Sequence, residues 1–157
     1  MERPHADPTL IIVCGLPGSG KTAHAKPLAE RLHAIRLAPD EWMNDLAIDL
    51  RDESMRERVE RLQWKLGREL LTLGLTVIIE WGTWARSERD KLRLEARALG
   101  AAVELHYLSA PMDVLFERIQ QRGMEIPPIR REELKRWAEL FQEPTMDELA
   151  LFDLTVR

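Results

Sequence analysis

Cysteine is nearly missing: Cys14 is the only one in 157 residues. A single thiol excludes an internal disulfide framework and a cysteine-only zinc site, and it fits a reducing, cytoplasmic compartment. The four histidines (His5, His24, His33 and His106) stand too far apart to read as a metal cage. Long hydrophobic runs are absent too. The longest apolar stretches, such as residues 10–14, are strand-sized, so no membrane partner is expected. The polar segment 1–8 carries no signal-peptide core. No internal repeat, low-complexity tract or Gly/Ser linker interrupts the chain, which predicts one domain over 1–157. Positive charge is in deficit. The 23 Lys and Arg against 27 Asp and Glu leave a net −4, which argues against a chain that coats nucleic acid but permits a local basic pocket.

What the chain does have is apolar material: 45% of its residues are hydrophobic, enough to bury a core without staples. Residues 10–14 form a continuous β-branched run ending in glycine, the pattern of a strand buried on both faces. Residues 21–34 follow as a helix that Pro27 should kink or loosen. Residues 34–38 read as a short strand closed by Pro39. Over 53–73, Val59, Leu62, Leu66, Leu70 and Leu73 recur at helical spacing and predict an amphipathic helix buried along that stripe. Strands are expected at 75–79, 103–108 and 151–156, and helices at 87–99, 112–121 and 131–141. A proline-bearing loop lies at 125–130. Strands alternating with helices imply a parallel sheet covered on both faces, with ligands beyond the carboxyl ends of its strands.

One motif sits at such an end. Gly15, Leu16, Pro17, Gly18, Ser19, Gly20, Lys21 and Thr22 match G-x-x-x-x-G-K-[ST] in full, after a strand and opening a helix. The glycines let successive backbone N–H groups turn toward phosphate oxygens, and the helix N-terminus adds its positive end. Lys21 brings a cation to the outer phosphates, and the Thr22 hydroxyl is placed to ligate magnesium. This predicts binding of ATP, or another nucleoside triphosphate, with Mg²⁺.

From this loop onward the chain resembles the small P-loop kinases of the adenylate-kinase-like fold. More narrowly, it is similar to the AAA-domain kinase group that includes chloramphenicol phosphotransferase-like, zeta-toxin-like and polynucleotide-kinase-like proteins. GLPGSGKT at 15–22, RLAPDEW at 36–42 and VIIEWGTWARSERD at 77–90 carry the likeness, with LFERIQQRG at 115–123 as a weaker fourth. The resemblance implies a three-layer α/β fold with about five parallel strands ordered 2-3-1-4-5. It also implies a short lid at about 122–133, and transfer of a phosphoryl group from ATP to a hydroxyl. Glu80 stands where many relatives carry aspartate.

The resemblance also nominates site residues. Asp40 falls where relatives place a carboxylate that orients or deprotonates the acceptor hydroxyl; as a bare sequence feature, it equally suits a helix N-cap. Glu80, directly after an apolar strand, either faces the cleft to serve magnesium or acceptor, or pairs with an arginine. Trp42, Trp81 and Trp84 are candidates for an acceptor wall or for ordinary packing, whereas Trp64 and Trp137 read as core. Arg86 is preferred over Arg89 as an acceptor contact. Arg118 and Arg122, four apart on one helix face, read as lid-side cations over the transferring group. The resulting expectation is a kinase of a small-molecule acceptor such as a nucleoside, sugar or antibiotic. A nucleic-acid-end kinase and a nucleotide-switched binding module are the rivals. No residue pattern speaks to oligomeric state.

Overall fold

A computed structural model describes residues 7–157, so His5 and the first six positions of the polar leading segment lie outside the described residues. The apolar runs form strands β1 (Thr9–Cys14), β2 (Ile35–Leu37), β3 (Val77–Ile79), β4 (Ala102–Tyr107) and β5 (Leu154–Val156). They make one sheet ordered β2-β3-β1-β4-β5, and every neighbouring pair is parallel. This is the 2-3-1-4-5 order of the P-loop NTPase fold.

The helices are α1 (Lys21–Leu32), α2 (Pro39–Asp45), α3 (Glu53–Thr72), α4 (Arg86–Ala98), α5 (Met112–Arg122), α6 (Arg131–Leu140) and α7 (Met146–Leu149). β1 is buried on both faces, as its composition demands. Leu10, Ile12 and Cys14 pack toward α3 and α4 with Trp64, Leu71, Leu92 and Ala96. Ile11 and Val13 pack toward α1 with Ala25 and Leu28. A third cluster of Leu115, Ile119, Ile129 and Leu134 joins α5, the lid loop 123–130 and α6. No helix among the described residues is long and apolar enough to cross a membrane.

Several expectations are corrected. α1 runs unbroken through Pro27, whose ring lies on the exposed side of the helix. α3 does not bury the leucine stripe: Leu62, Leu66 and Leu73 are exposed, while Val59, Gln63, Trp64, Gly67 and Leu71 face the core. The bulky indole and the small glycine decide the rotation. A Cβ at position 67 would come within 3.3 Å of both Leu37 and Trp64, so Gly67 lets α3 lie this close to β2 without those side chains giving way by a few tenths of an ångström. α2 and α7, absent from the sequence expectations, are short helices opened by Pro39 at the first position and by the Thr145 side-chain cap.

Candidate active site

The phosphate loop leaves the carboxyl end of β1 and turns into α1 through Gly20, which adopts a left-handed conformation. Gly18 also has a positive φ, 80°. A Cβ there would stand 2.6 Å from the Leu115 carbonyl oxygen on α5, so the loop needs glycine for both backbone and space. The first N–H groups of α1 lack intrahelical acceptors, as at any helix start, and they line the loop's concavity. Ser19 is buried, and its hydroxyl has no partner. Lys21 Nζ donates to the Gly15 and Leu16 carbonyl oxygens, each at 2.9 Å. Burial lowers its pKa to about 8, against the pull of the Asp40 and Glu80 carboxylates, with Arg122 adding to the fall. Four sequence-predicted residues therefore share one electrostatic neighbourhood.

Glu80 follows β3 directly beside β1. Its Oε1 accepts the Thr22 hydroxyl, and its Oε2 accepts Arg36 Nη1 at 2.5 Å. Glu80 is thus paired to an arginine and also reaches the loop at Thr22. Arg36 also grips Glu41 through Nη2 at 2.5–2.6 Å, and this hydrogen bonding holds the Glu41 carboxyl below its ordinary range. Hydroxyl and carboxylate side by side are the hard oxygen donors that magnesium takes with water and phosphate. The donor set fits that ion.

Asp40 is not a helix cap. Ala38 holds the cap position of α2 and Pro39 begins the helix, so Asp40 lies inside its first turn. Its Oδ1 stands 2.7 Å from Arg56 Nη1 of α3, and Arg56 Nη2 donates to the Leu50 carbonyl oxygen at 3.0 Å. One turn further along α3, burial pushes the Glu60 carboxyl up to about 7; Arg56 opposes the rise, while Glu88 and Asp40 support it.

The tryptophans divide. Trp42 and Trp81 are partly buried against the main core, and Trp81 Nε1 donates to Gln63 Oε1 at 2.9 Å, which fixes the indole. Trp84 turns away to lean on Trp137 of α6, with ring centroids 6.0 Å apart. Trp64 is core, as expected, whereas Trp137 belongs to the lid-side cluster. Arg86 leans on Asp90 of its own helix, 3.6 Å away. Arg89 is fully buried and structural: it binds Glu148 and the carbonyls of Thr83, Trp84 and Gln142. On the lid side, Arg118 Nη1 donates to the Gly18 carbonyl oxygen at 3.2 Å, and Arg122 pairs with Glu125 at 2.5 Å.

Sequence reasoning missed Arg36, Arg56 and Gln63. For Arg36 a signal existed: an arginine inside a strand that neighbours β3 has to meet a carboxylate, and Glu80 is the one at hand. Arg56 and Gln63 lay within a helix read only for its leucines.

Comparison with known proteins agrees with this architecture. A family model described as an AAA domain matches residues 10–144. The chain is 28% identical over 138 residues to an L-seryl-tRNA(Sec) kinase of Methanococcus maripaludis, a match covering 86% of this chain and 53% of that protein. It therefore spans about half the length of that curated relative. Among solved structures it resembles a gluconokinase from Sinorhizobium meliloti 1021, with TM-score 0.61 and 24% identity over 96% of this chain and 81% of that one. It also resembles Kti12 of Chaetomium thermophilum in complex with ADP-AlF3, with TM-score 0.69 and 20% identity over 94% and 88% of the two chains. At those identities the structural likeness shows the fold.

Proposed function

The chain belongs to the AAA-domain family, and from that membership and its cleft we propose that it is an ATP- and magnesium-dependent kinase acting on the hydroxyl of a small-molecule acceptor. The observation that carries the reading is the convergence of the Asp40, Glu80 and Arg122 charges on Lys21 of the phosphate loop. A nucleotide-binding turn alone has no need of a second carboxylate on a separate helix.

In this reading the amides of 15–22 and Lys21 hold the phosphates. Thr22 and Glu80 hold magnesium, directly or through water, and the ion when bound neutralises charge on the phosphates. Asp40, steadied by Arg56, orients the acceptor hydroxyl and takes its proton. The acceptor oxygen forms a bond to the γ-phosphorus as the bond to the β–γ bridging oxygen breaks, and ADP leaves. Arg118 and Arg122 stabilise the charge spread over the transferring group. Trp42 and Trp81 supply apolar walls to the acceptor side.

A hydroxyl carried on RNA is the second reading, because the curated relative is a kinase of L-seryl-tRNA(Sec). One experiment addresses both. ADP release with Mg·ATP is measured against sugars, nucleosides, aminoglycosides and short 5′-hydroxyl RNA, in the parent chain and in Lys21→Ala. Lys21-dependent turnover raised by a small molecule supports the proposal. Stimulation by RNA alone, falling steeply with salt, supports the second reading, and full turnover in Lys21→Ala refutes both.

A further inference from the structure

The two walls of the cleft meet at one arginine. Arg51 lies in the loop between α2 and α3, on the acceptor side. Its Nη1 donates to Glu133 Oε2 at 2.8 Å, in the first turn of α6, and its Nη2 donates to the Pro127 carbonyl oxygen at 2.8 Å, in the lid loop. Both ends of this bridge are anchored. On the acceptor side, Arg56 holds the Leu50 carbonyl and stands beside Asp40, and Asp49 Oδ1 accepts the Arg51 backbone N–H at 2.9 Å. On the lid side, Glu133 Oε1 accepts the Arg130 backbone N–H at 3.3 Å, and Ile129 and Leu134 are buried in the cluster that fastens α6 to α5. A continuous path of contacts thus runs from Asp40 through Arg56 and the 50–51 backbone to the lid.

We propose that Arg51 is a latch: a positioning residue that holds the lid loop against the acceptor-side loop and so keeps water from the transferring phosphoryl group. The inference rests on the kinase reading above. Water is a small hydroxyl compound always present in excess, so a phosphotransferase must shut it out to avoid wasting ATP. The latch uses the geometry of guanidinium, whose fork reaches a carboxylate and a carbonyl at once; an ammonium does not span both in that way. The Arg51 side chain is more than a quarter exposed, so the bridge adds little to global stability. Its consequence lies in where it places two otherwise separate loops.

The test uses the full chain with Mg·ATP alone, water being the acceptor, and ADP release as the readout. Arg51→Ala is expected to hydrolyse ATP about three- to tenfold faster than the parent, the range of one or two partly exposed polar contacts, with nucleotide affinity and melting temperature unchanged. Arg51→Lys should fall between the two. Glu133→Gln, which keeps the shape and loses the charge, should show the same direction and serves if Arg51→Ala folds poorly. A merely structural contact would lower turnover on removal, not raise it. Hydrolysis at or below the parental rate in a folded Arg51→Ala or Glu133→Gln overturns the latch and leaves the kinase reading standing. No Lys21-dependent turnover in the parent sinks the kinase reading, and the latch with it.

Discussion

Removing the carboxylate of Glu148 tests how the loop after β3 is held. Glu148 is 1% exposed and its partner Arg89 is 0% exposed, on α7 and α4 respectively. Arg89 Nε and Nη2 donate to the two Glu148 oxygens at 2.5 and 2.9 Å. Its remaining donors reach Thr83 O at 2.7 Å, Trp84 O at 3.3 Å and Gln142 O at 2.7 Å. Burial is the largest influence and works against the Arg89 charge, but Glu148 and Cys14 together outweigh it and hold the guanidinium pKa above its ordinary value. Glu148→Gln keeps the volume while leaving a buried cation without its counter-charge, a loss of about 3–5 kcal/mol. At about 2–4 °C per kcal/mol for a chain of this size, the melting temperature should drop by roughly 6–20 °C. The exposed pair Arg157–Glu143, 3.8 Å apart, is the control: Glu143→Gln should shift melting by less than about 2 °C. Thermal unfolding followed by circular dichroism reads both, and a double-mutant cycle with Arg89→Met should show that the two losses do not add. Glu148→Gln melting within about 3 °C of the parent would refute the reasoning, because a buried charge stripped of its partner is not that cheap.

Three further outcomes are expected. Asp40→Asn should fold and bind nucleotide like the parent, since Asp40 caps nothing, while transfer to any acceptor found falls about a hundred- to ten-thousand-fold; normal transfer in that variant would pass the role to Glu80 or Glu60. Lys21 loses its proton near 8 in the folded chain against an ordinary 10.5. Nucleotide affinity, measured by calorimetry, should therefore weaken as pH climbs past about 8. Folded stability should rise from about 8 to 10.5, where only the unfolded chain keeps the proton; Lys21→Met should show neither trend. Gly18→Ala, which drives a methyl group into the Leu115 carbonyl, should cut nucleotide binding and lower the melting temperature, and an unchanged variant would mean that the loop sits further from α5.

Much of this was legible in the residues. The P-loop is spelled out in order, and the sheet announces itself through β-branched runs that both faces bury. α2 was hidden because Pro39 reads as a strand terminator, although the first position of a helix is where proline is welcome. The face of α3 was misjudged by counting leucines, when the side chains that set its rotation are Trp64 and Gly67. The ion pairs Arg56–Asp40 and Arg89–Glu148 escaped for another reason. Each joins residues from different elements, and a pairing made in space leaves no local pattern along the chain.

The position of β1 has a consequence for how the chain is made. It precedes every other strand along the sequence, yet it lies third in the sheet, and its partners are residues 77–79 of β3 and 102–107 of β4. Until residues 77–79 have been synthesised, five adjacent residues that end up fully buried, Leu10 to Cys14, have no strand to pair with. Such long-range parallel pairing closes slowly, and an unpaired apolar strand is a site for wrong association in the interval. The growing chain is therefore at its most vulnerable before β3 appears, and one edge of β1 stays open until β4 follows. Folding yield should respond to the pace of translation and to chaperones that shelter the first strand.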